Sequence, residues 1–460
     1  MKILSLSCAI VTLLGFSFLD AITLKEAVKL AHQKNKSYLS SKLDAKQGKH
    51  NSYSALGNLL PKVTLSSTLV HIDSDTFSKM QMGYDYSYTR YLAETNLGIP
   101  SKPPDDVFQN SYTTQLVVSQ PIWNGGSIWL GYKQAQEAYK LSEMKLKVDS
   151  LDLEYKIAEL YFSILKFKEL LKVNEQSLKS SISNLKTIEN QSIAGIAKES
   201  DLQQYKVKVL EKENDLLQVK NSSSILRCSW MNTLGLKPAD ILPEPDAFNF
   251  SEYEDEVEYL SRLNTEQIEA EWLKKKETVL KSNEKIKMLD RTINISKLAY
   301  MSSLGNFSPS LNLTWTKTIE DDEKLDFKGG GSSILAVNLS IPLFKGTSRI
   351  WNTSKAKTAL DQAEINKADG ESGILLAAQS SFYAMVTNAK KIRIYSESLK
   401  SAKIQYNQIK NNYDAGLTDA TSLIDADLIL YSSEMQLTSA RYDFILAKLS
   451  FYQFLNQGVE

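Results

Sequence analysis

The strongest constraint in this sequence is a repeat that runs along its length. Four positions in the first half recur 221 positions later with the same residue type: Pro121 with Pro342, Gly125 with Gly346, Ser127 with Ser348, and Gly195 with Gly416. Landmarks that lie about 74 residues apart in one copy are therefore displaced by the same 221 positions in the other, which chance rarely produces. The chain is a tandem repeat, and each half should build the same series of elements.

A second pair of motifs marks where helices give way to strands. The stretch SALGNLLPKVTL at 54–65 resembles SSLGNFSPSLNL at 302–313, with Gly57 and Pro61 matching Gly305 and Pro309. Glycine permits backbone angles that other residues resist, and proline cannot continue a helix. This pair is 248 positions apart, so the first copy carries 27 extra residues. They fall in the Tyr- and Asp-rich stretch 73–106, which we predict to be a loop insertion.

Alternating apolar and polar residues predict four strands, at about 62–71, 113–123, 310–319 and 333–344. Leu335, Val337 and Leu339, for example, alternate with Ala336 and Asn338. Two structures give this pattern. One is a half-buried sheet over a soluble core, and the other is a membrane β-barrel with lipid outside and water inside. The alternation alone does not choose between them.

Long helices occupy most of the remaining sequence. Only 10 prolines and 19 glycines occur in 460 residues, and they cluster at the predicted joints. Apolar or small residues step by three and four through the last helix: Leu423, Ala426, Leu430, Ser433, Leu437, Ala440 and Phe444. Such sustained heptads indicate coiled-coil seams, and some helices carry two apolar edges, as in a closed ring. We expect Ser127 and Ser348 to be the N-caps of the long helices.

The order of these signals gives a domain scheme. Residues 1–21 are predicted to be a signal peptide, because an apolar run of about 17 residues follows Lys2; a membrane anchor is the alternative. The first repeat then spans 22–235, a Pro-rich acidic segment spans 236–265, and the second repeat spans 266–460. Each repeat should contain a helix, two strands and a long helical hairpin. After cleavage Cys228 is the one remaining cysteine, so an intrachain disulfide is excluded.

Enzymatic chemistry has no visible basis in the sequence. His32, His50 and His71 are scattered without metal-ligand spacing, and Gly329–Gly331 is not followed by the residues of a phosphate-binding loop. Lys plus Arg equals Asp plus Glu at 54 each, so nothing suggests a nucleic-acid partner. We expect no enzyme, no cofactor and no metal.

With these motifs in order, the sequence resembles the TolC-like outer membrane efflux protein family. The resemblance covers essentially the whole chain after the signal peptide and rests on five stretches: ITLKEAVKLAHQKN, the two LGN..P joints, QPIWNGG and YDAGLTDATSLIDA. It implies a homotrimer in which four strands per protomer complete a twelve-stranded barrel in the outer membrane. A helical tunnel would stand in the periplasm, and the segment at 236–263 would lie at its equator; a plain linker is the alternative there.

The implied function is a passive exit duct in a tripartite efflux or type I secretion system. It would dock to a periplasmic adaptor and an inner membrane transporter, and the transporter would select the substrate, whether drug, metal or protein. The rival interpretation is a periplasmic coiled-coil structural or adaptor protein without a pore. Strands embedded in the outer membrane would distinguish the duct from this rival.

The resemblance also places functional residues at the two turns farthest from the strands. Four would form a periplasmic gate: Asp425, Ser422, Tyr413 and Asp201. Five would lie at adaptor-docking tips: Gly195, Lys198, Gly416, Thr418 and Asp419. Asp425 is expected to face the channel axis, with an ordinary exposed helix charge as the alternative, and Ser422 replaces a second acidic residue of the family. Thr418 replaces an arginine of the closing network, for which Asp419 or Lys198 is the candidate substitute. Tyr413 fits a gate bond and an ordinary seam position equally well.

Overall fold

The computed structural model describes residues 21–97, 99, 109–195, 198–238, 240–321, 331–344 and 346–458. These segments contain ten helices and four strands, and a 3₁₀ turn lies at Phe250–Tyr253. The helices are α1 (Leu24–Lys34), α2 (Lys36–Gly57), α3 (Ser74–Asn96), α4 (Ser127–Ile193), α5 (Glu199–Leu234), α6 (Glu254–Arg262), α7 (Thr265–Ser282), α8 (Glu284–Gly305), α9 (Ser348–Asp414) and α10 (Ala420–Phe454). The strands are β1 (Lys62–His71), β2 (Asn110–Asn124), β3 (Ser310–Asp321) and β4 (Ser332–Ser340). The predicted fold class, mainly helical with four strands, is confirmed.

The chain divides into two compact units. One contains the residues up to Ala45, Glu143–Leu289 and the residues from Asn366; the other contains Lys46–Ser142 and Asp290–Ile365. The second unit holds the sheet and its joints. The first holds most of the helical hairpins, which we call the first hairpin (α4 and α5) and the second hairpin (α9 and α10); the beginnings of α4 and α9 belong to the second unit.

The sheet is antiparallel with the strand order β1-β2-β3-β4. Because directly opposed residues share a face, the register sorts the side chains into two sets. One face is mostly apolar: Val63, Leu65, Leu69, Leu116, Val118, Leu311, Leu313, Trp315, Leu335, Val337 and Leu339. The other is mostly small and polar: Thr64, Ser66, Thr68, Thr113, Ser119, Asn312, Thr314, Thr316, Asn338 and Ser340. β1 and β4 are the two edge strands.

The repeat is visible in backbone geometry. Three positions with positive φ in the first half have a positive-φ counterpart 221 residues later: Gly125 with Gly346, Gly195 with Gly416, and Gly235 with Asn456. Asn456, with φ 51°, is the one non-glycine among the positive-φ residues of the described chain. The pairing of Leu65 with Leu116 likewise recurs as Leu313 with Val337.

The core of the helical unit follows the predicted seams. Leu423, Ala426, Ser433, Leu437, Ala440 and Phe444 are all buried along α10. Trp230 on α5 and its repeat counterpart Phe451 are fully enclosed, and Trp230 Nε1 donates to the carbonyl oxygen of Pro243 at 3.0 Å. The segment between the repeats therefore packs on this core; Val257, Leu260 and Leu263 are buried there.

The insertion in the first copy is not a simple loop as predicted. Helix α3 occupies Ser74–Asn96, and Asp73 caps it by accepting hydrogen bonds from the amides of Asp75 and Thr76 at 3.1 and 2.9 Å. Side chains four residues apart stabilise one another, because the rings of Tyr84 and Tyr88 stack at 5.8 Å.

The joints also correct one capping prediction. Ser127 is the first residue of α4, and its hydroxyl donates to the carbonyl oxygen of Asn124 at 2.9 Å. The side chain of Asn124 instead accepts a hydrogen bond from the amide of Ile128 at 3.3 Å. Ser348 is likewise the first residue of α9.

Candidate functional site

The predicted gate and docking residues lie at two helical turns of the same unit. The first turn joins α4 to α5 around Gly195, and the second joins α9 to α10 around Gly416. Both glycines adopt left-handed backbone angles, with φ of 73° and 74°, and their amides bond back to the carbonyl oxygens of Ser192 and Tyr413 at 3.0 and 2.9 Å. Glycine allows each helix to end abruptly at its tip.

The docking candidates are accessible. Gly195, Lys198, Gly416 and Asp419 are exposed, and Thr418 is half-buried. Residues 196 and 197 of the first turn lie outside the described residues. The first turn carries the cationic Lys198 and the second the anionic Asp419, and the charge of Lys198 is the smallest of the causes that lower the pKa of Asp419.

Ser422 and Asp419 form a helix cap. The Asp419 carboxylate accepts hydrogen bonds from the hydroxyl of Ser422 at 2.6 Å and from its amide at 2.9 Å. These bonds are the largest causes that lower the pKa of Asp419 from 3.8. The Ser422 hydroxyl is therefore engaged in starting α10, as expected of a capping partner.

Tyr413 packs in a seam and donates a hydrogen bond as well. It is 7% exposed among Ile188, Leu423 and their neighbours, and its hydroxyl donates to Gln191 Oε1 at 2.5 Å. Burial raises the pKa of Tyr413, and the negative charges of Asp201 and Asp414 raise it further. The bond joins α9 of the second hairpin to α4 of the first. Asp201 lies close enough to act electrostatically, while its carboxylate accepts from Ser200 Oγ at 3.1 Å.

The two acidic residues near the start of α10 have opposite environments. Asp425 is exposed, whereas Asp427 is 5% exposed. Two residues of helix rotate a side chain by about 200°, so burial of Asp427 turns Asp425 away from the packed seam.

A buried polar cluster surrounding Asp427 was missed at the sequence level. Asp427 forms an ion pair with Lys212 of α5 and accepts from Ser181 Oγ of α4 at 3.3 Å. Lys212 also lies 5.3 Å from the ring centre of Tyr431. The signal was present, because the seam spacing Leu202, Tyr205, Val209 continues by three to Lys212.

A second network lies nearer the tip. Asn184 Nδ2 donates to the hydroxyl oxygens of Tyr205 at 3.1 Å and Tyr406 at 3.4 Å. Burial raises the pKa of Tyr205, so its hydroxyl stays protonated. The four helices thus meet through polar contacts placed inside an apolar seam.

Neither a metal site nor a membrane helix is found among the residues described. No cluster of three or more His, Cys, Asp or Glu side chains in these segments could hold a metal ion. No helix in them is both long enough and apolar enough to span a bilayer.

Comparison with known proteins agrees with this architecture. Residues 73–227 and 298–457, more than half of the chain, match the family model described as Outer membrane efflux protein. The outer membrane protein TolC of Salmonella enteritidis is 20% identical over 390 residues, covering 82% of this chain and 74% of TolC. The alkaline protease secretion protein AprF of Pseudomonas aeruginosa is also 20% identical, covering 80% and 75%.

A solved structure shows the same fold. The Campylobacter jejuni CmeC outer membrane channel superposes with a TM-score of 0.78 at 16% identity, covering 95% of this chain and 86% of CmeC. The resemblance predicted from the joints and turns is therefore confirmed. The chain belongs to the outer membrane efflux protein family, and its place is the outer membrane.

Proposed function

We propose that this protein is the outer membrane channel-tunnel of a tripartite efflux or type I secretion system. It would act as a passive exit duct, with its helical hairpins in the periplasm, docked to an adaptor and an inner membrane transporter. Relatives named for efflux and for protease secretion support both branches. The observation that carries the proposal is the exposed apolar face of the four-stranded sheet.

The apolar face of the sheet is open to its surroundings. On the edge strands, Leu65, Leu335 and Val337 are 62%, 67% and 65% exposed, and the residues of that face on the two central strands are partly exposed. A continuous apolar face with two open edges would aggregate in water. Set against lipid, the same face is stabilising, while the polar face lines an aqueous lumen.

The repeat also predicts how the edges close. Within the chain, β2 of the first repeat pairs with β3 of the second, with Val117 opposite Thr316. The counterpart of β2 in the other repeat is β4, and the counterpart of β3 is β1. The equivalent pairing would therefore join β4 of one copy to β1 of a second copy. Asn338 would then lie opposite Thr68 of that copy, and both belong to the polar face.

The helices support the same assembly. Tyr431 of α10 donates to Asn174 Oδ1 of α4 at 2.7 Å, a contact between the two hairpins. The residues equivalent to Tyr431 and Asn174 in the other repeat are Leu210 of α5 and Tyr395 of α9, so the equivalent contact would join these two. Leu210 is 62% exposed in the single chain, so a second copy can supply this contact. Head-to-tail pairing of this kind gives a ring when the rotation between copies closes; closure at three copies, giving twelve strands, comes from the family resemblance.

We place adaptor docking at the two exposed turns. Lys198 and Thr418 lie there, beyond the ends of the hairpins. In cells that carry the adaptor, photoreactive crosslinkers on Lys198→Cys or Thr418→Cys should capture it. Glu258→Cys, on the exposed surface of α6, is the matched control and should capture much less. Equal capture at all three sites would contradict docking at the turns.

The deciding experiment for the duct is a disulfide between copies. In a Cys228→Ser background, Thr68→Cys with Asn338→Cys should give covalently linked trimers in the outer membrane fraction. Thr64→Cys with Asn338→Cys is the control, since Thr64 shares the face but lies four residues away on β1. A soluble periplasmic monomer without crosslinks would instead establish the rival, a coiled-coil protein without a pore.

A further inference from the structure

A buried ion pair joins the two hairpins. Lys212 on α5 and Asp427 on α10 have side chains that are 3% and 7% exposed. Each is also held by a serine of α4: Lys212 Nζ donates to Ser177 Oγ at 2.7 Å, and Ser181 Oγ donates to Asp427 at 3.3 Å. The pair therefore links α10 to both helices of the first hairpin.

Stability alone does not account for this pair. Burying two charges carries a desolvation penalty, and well-packed apolar residues of similar volume are often as stable or more so. The neighbouring seam positions show the apolar solution: Leu202, Tyr205 and Val209 on α5, and Ala420, Leu423 and Ala426 on α10. An apolar heptad seam specifies its register weakly, because a shift by one heptad sets similar residues opposite one another.

The repeat shows that the hairpin itself does not need the charge. The counterparts of Ser177 and Lys212, 221 positions later, are Ser398 and Ser433. Their hydroxyls lie 3.2 Å apart, so the second hairpin makes the same contact with two neutral groups. Lysine is present at position 212, where the second hairpin supplies Asp427. At the equivalent position of the second hairpin the residue is the neutral Ser433.

We propose that the Lys212–Asp427 pair fixes the axial register of α10 against the first hairpin. A shift of α10 by one heptad would place Ala420 where Asp427 lies, leaving Lys212 buried without a counter-charge. That state is strongly disfavoured, so the pair excludes a shift in this direction. The pair also fixes the rotation of α10, which keeps Asp425 turned away from the seam. Lys212 therefore acts by positioning α10. This inference holds whether or not the protein transports a substrate.

Two cysteine pairs report the register in the full-length chain with Cys228→Ser. Asn174 Nδ2 lies 3.4 Å from Met435 Sδ, so Asn174→Cys with Met435→Cys reports the observed register. Asn174→Cys with Leu428→Cys, seven residues earlier, reports the shifted one. With the ion pair intact, we expect the first disulfide and almost none of the second.

Removing the charges while keeping the volume is the test. In Lys212→Met with Asp427→Leu, the shifted disulfide should rise about tenfold, which corresponds to the loss of about 1.4 kcal/mol of coupling between the two side chains. Lys212→Glu alone should also raise it, and adding Asp427→Lys should restore the observed register. Ser398→Ala with Ser433→Ala is the neutral control and should change neither yield. If every folded variant forms only the Asn174–Met435 disulfide, the proposal is overturned.

Discussion

Asn35 donates its side-chain amide to the carbonyl oxygen of Thr233 at 2.8 Å, and the repeat makes the same bond a second time. Asn283 donates to the carbonyl oxygen of Phe454 at 3.1 Å. Each asparagine stands at a break between two helices and bonds to the end of a long helix whose last carbonyl groups have no helical partner. Two polar bonds therefore hold equivalent corners of the helical unit.

The hydrogen bond from Asn283 to Phe454 should contribute measurably to the stability of the protein. Asn283 is 3% exposed, and it also accepts from the amide of Lys285 at 3.0 Å. We expect Asn283→Ala to lower the free energy of unfolding by about 1–3 kcal/mol, because buried backbone groups lose their partners. Thermal unfolding followed by circular dichroism measures this. Asn411→Ala, on the exposed surface of α9, is the control, and an equal effect there would contradict the assignment.

The sequence predicted the parts of the fold that depend on local pattern. Glycine and proline at joints such as Gly57 and Pro61, and the heptad spacing of α10, required no tertiary information. The prediction of a loop in the insertion was wrong for a local reason too. It rested on the position of the insertion in the repeat and did not use Asp73, which is a residue type that caps helices. Lys212 could not be predicted as a seam residue, because lysine is rarely fully buried and its spacing from Val209 alone does not show the partner that makes burial possible. The gate and docking roles depend on copies and partners that one chain does not contain.

The two joint glycines make a matched comparison. Gly125 and Gly346 have φ of 65° and 68°, but a Cβ on Gly125 would collide with the carbonyl group of Gly305. A Cβ on Gly346 would meet nothing within 4 Å. Both alanine variants carry backbone strain of about 1 kcal/mol or more, and Gly125→Ala carries the collision in addition. We expect heat-resistant oligomer to be reduced far more by Gly125→Ala; equal losses would show that the close approach of the joints is unimportant.

Glu284 should contribute a pH-dependent part of the stability. Burial would raise its pKa, but hydrogen bonds from Lys147 at 2.9 Å and Lys287 at 3.3 Å outweigh burial and lower the pKa below 4.5. A carboxylate with a lowered pKa in the folded state stabilises fully above its unfolded pKa. That contribution is lost as the pH falls through the folded value.

Glu284→Gln should therefore be less stable at neutral pH, and its melting temperature should fall less steeply between about pH 5 and about pH 3. Unfolding curves across this range measure both effects. Glu258→Gln is the control, because its side chain is 59% exposed. A Glu284→Gln profile parallel to that of the unmodified chain would contradict this origin of the pH dependence.

Adjacent residues of β4 test which face of the sheet meets lipid. Val337 is on the apolar face and Asn338 on the polar face. Val337→Lys should destabilise the membrane-inserted protein by up to about 2–4 kcal/mol, whereas a lysine in a water-filled lumen carries little cost. The measurement is the yield of heat-resistant trimer in outer membranes. Greater loss with Asn338→Lys would reverse the assignment of the faces.

The last expectation concerns the periplasmic entrance. Asp425 is exposed and turned away from the seam that buries Asp427, as an axial carboxylate requires. Threefold symmetry would bring three such carboxylates to one ring, which attracts cations and narrows the mouth. Because residue 422 is a serine and carries no charge, no second acidic ring is expected there, and block by multivalent cations should be weaker than in relatives with two rings.

Single-channel recording in planar bilayers tests this arrangement. Asp425→Asn should reduce cation preference and multivalent-cation block and raise conductance, because the ring loses its negative charge. Asp414→Asn is the matched control, since Asp414 is an exposed carboxylate at the end of α9 near the same tip. If Asp414→Asn changes selectivity and block while Asp425→Asn leaves both unaltered, then α9 and not α10 presents its acidic residue to the axis.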